Sequence, residues 1–183
     1  MFRKNRKSEN RIRLADCVAD QIVRKGVTDV FLVTGGGAMH LNDAFGRQRK
    51  LTVTCFHHEQ AAAMAADAYF RLSNRLAVVN VTTGPGALNA LNGVHGAYVD
   101  SLGMVVISGQ VKRDTLQTNQ RVPLRQLGDQ EVDIISIVKP IVKYAVRVDD
   151  PYQQADPSSG MPLAVGLYVG AEIAGRSIID AIQ

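Results

Sequence analysis

The stretch "LAVVNVTTGPGALNALNGVHGAYVD" (76–100) decides the fold. It opens on an apolar run, Leu76 to Val81, with the length and β-branched content of a strand buried on both faces. Thr82-Thr83-Gly84-Pro85-Gly86 then interrupts any regular element, because glycine loosens the backbone and proline removes a donor. Ala87 to Val99 reads as a helix, and "GMVVIS" (103–108) as the next buried strand. Strand, short loop, helix and strand in that order make a βαβ unit.

The same rhythm runs through the preceding residues. Leu14, Val18, Ile22 and Val23 recur at helical spacing, with Gly26 as a stop. "DVFLV" (29–33) is a short β-rich run ending in Thr34-Gly35-Gly36-Gly37. Leu41, Ala44 and Phe45 suggest a second helix closed by Gly46, "LTVTCF" (51–56) alternates like a strand, and Gln60 to Leu72 is strongly helix-forming. Lys112 to Gly128 is polar and irregular; "DIISIVKPIVKYAVRV" (133–148) then returns to a helix, a break at Pro140 and a strand. This alternation predicts an α/β fold, a three-layer αβα arrangement with a mainly parallel central sheet. Ligands of such folds sit at the carboxyl ends of the strands. Each glycine-rich loop, and the stretch His57-His58-Glu59, follows an expected strand.

Bulk properties narrow the classes. The chain has 183 residues, 46% hydrophobic and 21% charged, enough for one domain with a real core. No apolar run approaches the roughly 18 residues of a membrane span, so no membrane partner is expected. The formal net charge of +4 is uneven, since Arg3, Lys4, Arg6, Lys7, Arg11 and Arg13 crowd the start. Residues 1–10 read as a solvated basic extension. Only Phe2 is available there to stack on bases, so no nucleic-acid partner is expected. No apolar segment of a secretory signal follows the basic start. Cys17 and Cys55 match no metal spacing and read as small buried apolar residues, suited to a reducing cytoplasm, which is the expected location.

Three chemistries were open to "CFHHEQAAAMAADAYF" (55–70) and its neighbours. A zinc site of the H-E-x-x-H kind lacks its second histidine, because Glu59 is followed by Gln60, Ala61 and Ala62. His40 and His95 could join only through the fold, and no metal site is expected. A dinucleotide fingerprint starting at Gly35 and Gly37 would need a third glycine where His40 stands, so it fails. That leaves Glu59 as a carboxyl of special environment. The alanines after it offer no charged partner, which favours the protonated form, while a helix start favours the ionised one. Local sequence alone favours an ordinary, stabilising first-turn glutamate.

The wider constellation is more specific. "GVTDVFLVTGGGAMHL", "HHEQAAAMAADAYFR", "TTGPGALNALNG" with a later "DS", "VVISGQV" and "RQLGDQEVDIISIVKPIVKYAVRV" occur in this order. Together, over about residues 11–152, they resemble the N-terminal pyrimidine-binding domain of thiamine-diphosphate enzymes, in the acetolactate synthase large-subunit group. The last segment is similar to the branch often found with surface-polysaccharide genes.

That resemblance implies the thiamine-diphosphate-binding fold and a set of roles. Glu59 would hydrogen-bond the pyrimidine ring and promote the imino form of its amino group, which activates the cofactor for attack on a 2-oxo acid. Decarboxylation and addition to a second 2-oxo acid would follow. Thr82, Gly84, Pro85, Gly86 and Asn89 would line the pyrimidine end. Gly35, Gly36, Gly37, His58 and Gln110 would lie on the substrate side, His58 either assisting proton transfer or shaping its loop. A decarboxylase or a lyase of the same cofactor class, and a non-catalytic dimerisation module, are the alternatives.

The departures from the family are also informative. The family usually has an aromatic residue where Asp129 stands, and Thr83 replaces a serine. The diphosphate would be held through Mg2+ by a separate domain carrying G-D-G, and no G-D-G occurs in this sequence. The chain alone is therefore expected to be inactive and to bind the cofactor weakly. A homo-oligomer, or a partner chain carrying the diphosphate-binding domain, would complete the site. Residues 153–183 lack the family's closing turn and read as an atypical tail, divergent or frame-shifted, which puts a final strand in doubt. Asp156 to Met161 can be encoded by codons that, read one base later, spell a stretch similar to the family's helix.

Overall fold

Side-chain alternation along the strands sorts the core into two halves. In the computed structural model, which describes residues 13–148 and 166–169, the strand β1 (Asp29–Leu32) sends Val30 and Leu32 to one face and Phe31 to the other. β3 (Val78–Val81) and β4 (Val105–Ser108) are buried along their whole length, as strands covered by helices on both faces must be. On the first face lie α1 (Leu14–Arg24) and α2 (Met39–Arg47), which contribute Ala15, Val18, Ala19, Ile22, Leu41, Ala44 and Phe45. On the second lie α3 (Glu59–Ser73), α4 (Pro85–Asn89), α5 (Leu91–Val99) and α6 (Ile134–Val138). The fold is thus the expected helix–sheet–helix sandwich.

With β2 (Thr52–Cys55), β5 (Tyr144–Arg147) and β6 (Gly166–Val169), the sheet runs β2-β1-β3-β4-β6-β5. The first four strands of that order are mutually parallel, while β6 runs antiparallel between β4 and β5. The closing strand that the sequence reading left in doubt is therefore present, and its pairing gives β5 its partner and β4 a second one beside β3. The basic extension 1–10, and the expected tail 153–183 apart from 166–169, lie outside the described residues. None of the helices among the described residues is long and apolar enough to cross a membrane.

Chain order and sheet order together locate the functional end. From β1 the chain goes through α2 to β2 on one side, then through α3 back to β3 on the other side of β1. The loops after β1 and β3 leave toward opposite helical layers, which opens a crevice at the carboxyl ends of these strands.

The helix expected over 87–99 is in fact two. It starts earlier, at Pro85, whose fixed φ and missing N–H suit a first helical position. Ala90 then joins α4 to α5. α3 and α5 pack closely because both present small residues: a Cβ on Gly93 would stand 2.5 Å from the Ala63 Cβ. Farther along α3, Tyr69 meets Phe31 edge-on at 5.8 Å between ring centroids, and Phe31 meets Phe56 likewise at 5.7 Å. Each such pair contributes about 0.5–1.5 kcal/mol beyond burial. The Tyr69 hydroxyl also donates to Asp29 Oδ2 at 2.7 Å. These contacts tie the C-terminal half of α3 to β1.

The cysteines correct one expectation. Cys17 is only half-buried, and Cys55 is exposed because β2 is an edge strand whose outer face is uncovered. Burial pushes the Cys17 thiol up, and the charge of Asp20 adds to this. Since the thiolate is the nucleophile, a short pulse of iodoacetamide at mildly alkaline pH is expected to label Cys55 well before Cys17. Peptide mass spectrometry reads the order, and equal labelling would contradict it.

Candidate functional site

Among the described residues the buried polar or charged side chains are Glu59, Asn80 and Ser108. Asn80 and Ser108 lie at the carboxyl-end halves of β3 and β4, and Glu59 opens α3. Burying such groups is costly without partners, so their partners define the site.

Glu59 is 8% exposed. Its Oε2 accepts a hydrogen bond from Asn89 Nδ2 at 3.0 Å, the one hydrogen bond to this carboxylate among the described residues. Its Oε1 faces Gly86, where an added Cβ would stand 3.2 Å away and collide with the Thr82 methyl at 2.6 Å. The carboxyl is thus held at one oxygen, and its other oxygen lies beside a wall without a side chain. His58 precedes it as the helix cap. Its Nδ1 accepts the Gln60 N–H at 3.1 Å, which satisfies one orphan donor of the first turn. His58 and His57 are both exposed.

The loops after β1, β3 and β4 converge on Thr82. The Gly37 N–H donates to Thr82 Oγ1 at 3.0 Å, and the Ser108 hydroxyl donates to the Thr82 carbonyl at 3.2 Å. A Cβ on Gly35 would fall 2.4 Å from the Thr82 Cβ. Thr83 Oγ1 donates to Gln110 Oε1 at 2.7 Å. Gly84 adopts φ +57° and ψ −119°, a region that side chains rarely enter, and its Cα lies against Gln130: a Cβ there would be 2.0 Å from the Gln130 carbonyl oxygen. Gln130 itself has φ +55°.

Between these loops opens a cleft of about 440 Å³. Its walls are Gly36, Gly37, Thr82, Thr83, Gln110, Val111, Lys112, Thr115, Leu127, Gly128, Asp129 and Gln130. The residues singled out from sequence thus fall into two groups. Glu59, Asn89 and Gly86 surround the buried carboxyl; Gly36, Gly37 and Gln110 line the cleft; and Thr82, with Gly35 packed on it, stands between them. Pro85 begins α4 and lines a shallower hollow with Gly84, Leu88 and residues 125–132. Glu59 is not part of the cleft wall.

Sequence reading missed Ser108, Lys112 and Gln130. A serine at the end of a buried strand, immediately before "GQ" (109–110), was the signal for Ser108. Nothing local marked Gln130, whose position depends on Gly84, 46 residues earlier in the sequence.

A doubly wound sheet with a buried first-turn glutamate and a Thr-Gly-Pro-Gly loop at the strand ends defines a cofactor-binding domain, and comparison with known families assigns it: the chain belongs to the thiamine pyrophosphate enzymes, matching their N-terminal TPP binding domain over residues 12–137. Among characterised relatives, it is 37% identical over 134 residues to the acetolactate synthase large subunit of Buchnera aphidicola subsp. Schizaphis graminum (strain Sg), covering 73% of this chain and 22% of that protein. It is 37% identical over 136 residues to acetolactate synthase 1, chloroplastic, of Oryza sativa subsp. japonica, covering 74% and 20%. The large subunit of Porphyra purpurea is 38% identical over 135 residues, covering 72% and 22%. The chain spans about a fifth of the length of the curated relatives it matches.

Proposed function

We propose that this chain supplies the pyrimidine-binding half of an acetolactate-synthase-like site, in which one 2-oxo acid is decarboxylated and joined to a second. The observation that carries the reading is the Glu59 carboxyl, buried, held at Oε2 by Asn89 and open at Oε1 beside Gly86. A flat aminopyrimidine with a ring nitrogen fits this donor set, because it needs one hydrogen bond at its edge and a wall without side chains. Thiamine diphosphate, when bound, supplies the nucleophilic carbon and the electron sink for 2-oxo acid chemistry.

The chain's own residues do the rest. Glu59 Oε1 would hydrogen-bond the ring nitrogen, while Asn89 holds the carboxyl at Oε2. Thr82, Gly84, Pro85 and Gly86 shape the wall behind the ring. Gly35, Gly36, Gly37 and the cap residue His58 face the side from which substrate enters. The diphosphate and its Mg2+ belong to a domain of another kind, supplied by a longer form or a partner chain. The exposed Met64 on α3 and Leu88 on α4, 46% and 38% accessible, offer such a partner apolar side chains on the two helices that carry Glu59 and Asn89.

Isothermal titration tests the division of labour. Thiamine diphosphate with Mg2+ is expected to bind this chain with a dissociation constant above about 100 μM, weaker than roughly −5.5 kcal/mol. Pyruvate should release no CO2 with the chain alone and should do so once a diphosphate-binding chain is added. Micromolar binding by the chain alone would overturn the half-site reading.

A further inference from the structure

We propose that Gln110 is a positioning residue whose carboxamide latches the 128–132 segment onto the Thr82–Gly84 turn and so sets the width of the cleft. The inference concerns the wall of the site under the proposed function, and it stands or falls whatever the cleft binds.

A carboxamide accepts two hydrogen bonds and donates two. Gln110 Oε1 receives the Thr83 hydroxyl at 2.7 Å and the Val111 N–H at 2.9 Å, so its acceptor capacity is spent. Its Nε2 donates to the Val132 carbonyl at 3.1 Å, leaving one N–H. The amide cannot be turned over, because a main-chain N–H only donates and a main-chain carbonyl only accepts. The three partners come from three segments: the turn after β3, the residue after Gln110 itself, and the approach to α6.

The other side-chain hydrogen bonds of the latched segment run to Gln117 and Gln126: the Glu131 carboxylate accepts the Gln117 N–H, and Gln126 Nε2 donates to the carbonyls of Gly128 and Glu131. Among the described residues, Gln110 makes the one side-chain hydrogen bond from 128–132 to residues 82–111. That segment carries Asp129 into the cleft and sets the Gln130 carbonyl on Gly84, with Gln130 in the left-handed region that a glutamine enters only when its surroundings hold it there. Gln110 thus acts on the cleft through the wall it fastens.

Gln110→Glu separates the two arms of the latch. It keeps the acceptor oxygen for Thr83 and Val111 but, once ionised, cannot donate to Val132. Hydrogen–deuterium exchange of the full chain at pH 7 is expected to show about tenfold faster exchange, corrected for intrinsic rates, in peptides covering 126–133, with β3 and α5 unchanged. Lowering the pH through about 4.3 restores an O–H donor to the variant, and protection of 126–133 should return toward wild type. Gln110→Met, which has no donor at any pH, should show the same loss without the recovery. Wild-type protection of 126–133 in Gln110→Glu, loosening spread equally over β3 and β4, or recovery in Gln110→Met would each overturn the latch.

Discussion

Gly84→Ala is expected to lower the unfolding free energy by about 3 kcal/mol. Two costs combine. At φ +57° and ψ −119° any Cβ strains the backbone, and the new methyl would stand 2.0 Å from the Gln130 carbonyl oxygen and 3.1 Å from its carbon. The obstructing atoms are main chain, so no rotamer change relieves the contact. Either the turn after β3 or the 128–132 segment must move. Urea denaturation should show a lower midpoint with an unchanged slope. A loss under about 1 kcal/mol would mean that the segment swings clear without resistance.

Glu59→Gln carries the largest expected effect on activity. In the enzyme assembled with a diphosphate-binding domain, turnover of a 2-oxo acid should fall by about 10²–10⁴-fold, the range for losing a positioned proton carrier. Stability should change by less than about 1 kcal/mol, because the glutamine oxygen can still accept the Asn89 N–H that now meets Oε2. A drop in kcat with the fold intact separates the proposed role from that of an ordinary helix-start glutamate, whose replacement would leave turnover unchanged. The wild-type product distinguishes the reactions of this cofactor class: a 2-hydroxy-3-oxo acid from two 2-oxo acids marks a synthase, a free aldehyde a decarboxylase or lyase.

The elements that were legible in the sequence are those whose signal is local. β3 and β4 are apolar along their length because both faces are covered, and that burial leaves the same mark in "AVVNV" (77–81) and "VVIS" (105–108). The glycine-rich loops announced the carboxyl ends of the strands, and the motifs around Glu59 and Gly84 announced the family. The features that were not legible arise from meetings between distant loops. Gln130 has no local reason to take a positive φ; it does so where its segment lies on Gly84. Gln110 was expected on the substrate side and lines the cleft, but nothing local marked the engagement of its carboxamide with Thr83, Val111 and Val132. Composition cannot place Cys55 on an edge strand, since that depends on which strand lacks an outer neighbour. β6 was obscured because the residues around it lack the family's closing turn.

The attachment of α3 has a consequence for how accurately its first residue is aimed. The helix is held through its buried first half, Ala62, Ala63 and Ala66, with Ala63 against Gly93, and again at Tyr69 by the Phe31 ring and the Asp29 carboxylate. Glu59 therefore starts a rod fixed at two places along its length, and its backbone cannot shift without disturbing α5 and β1. Asn89, on a five-residue helix that starts from Gly84, holds the carboxyl itself. The aim of the acid and the position of the cleft wall are therefore calibrated by one turn, so that an error in that turn would misalign both together.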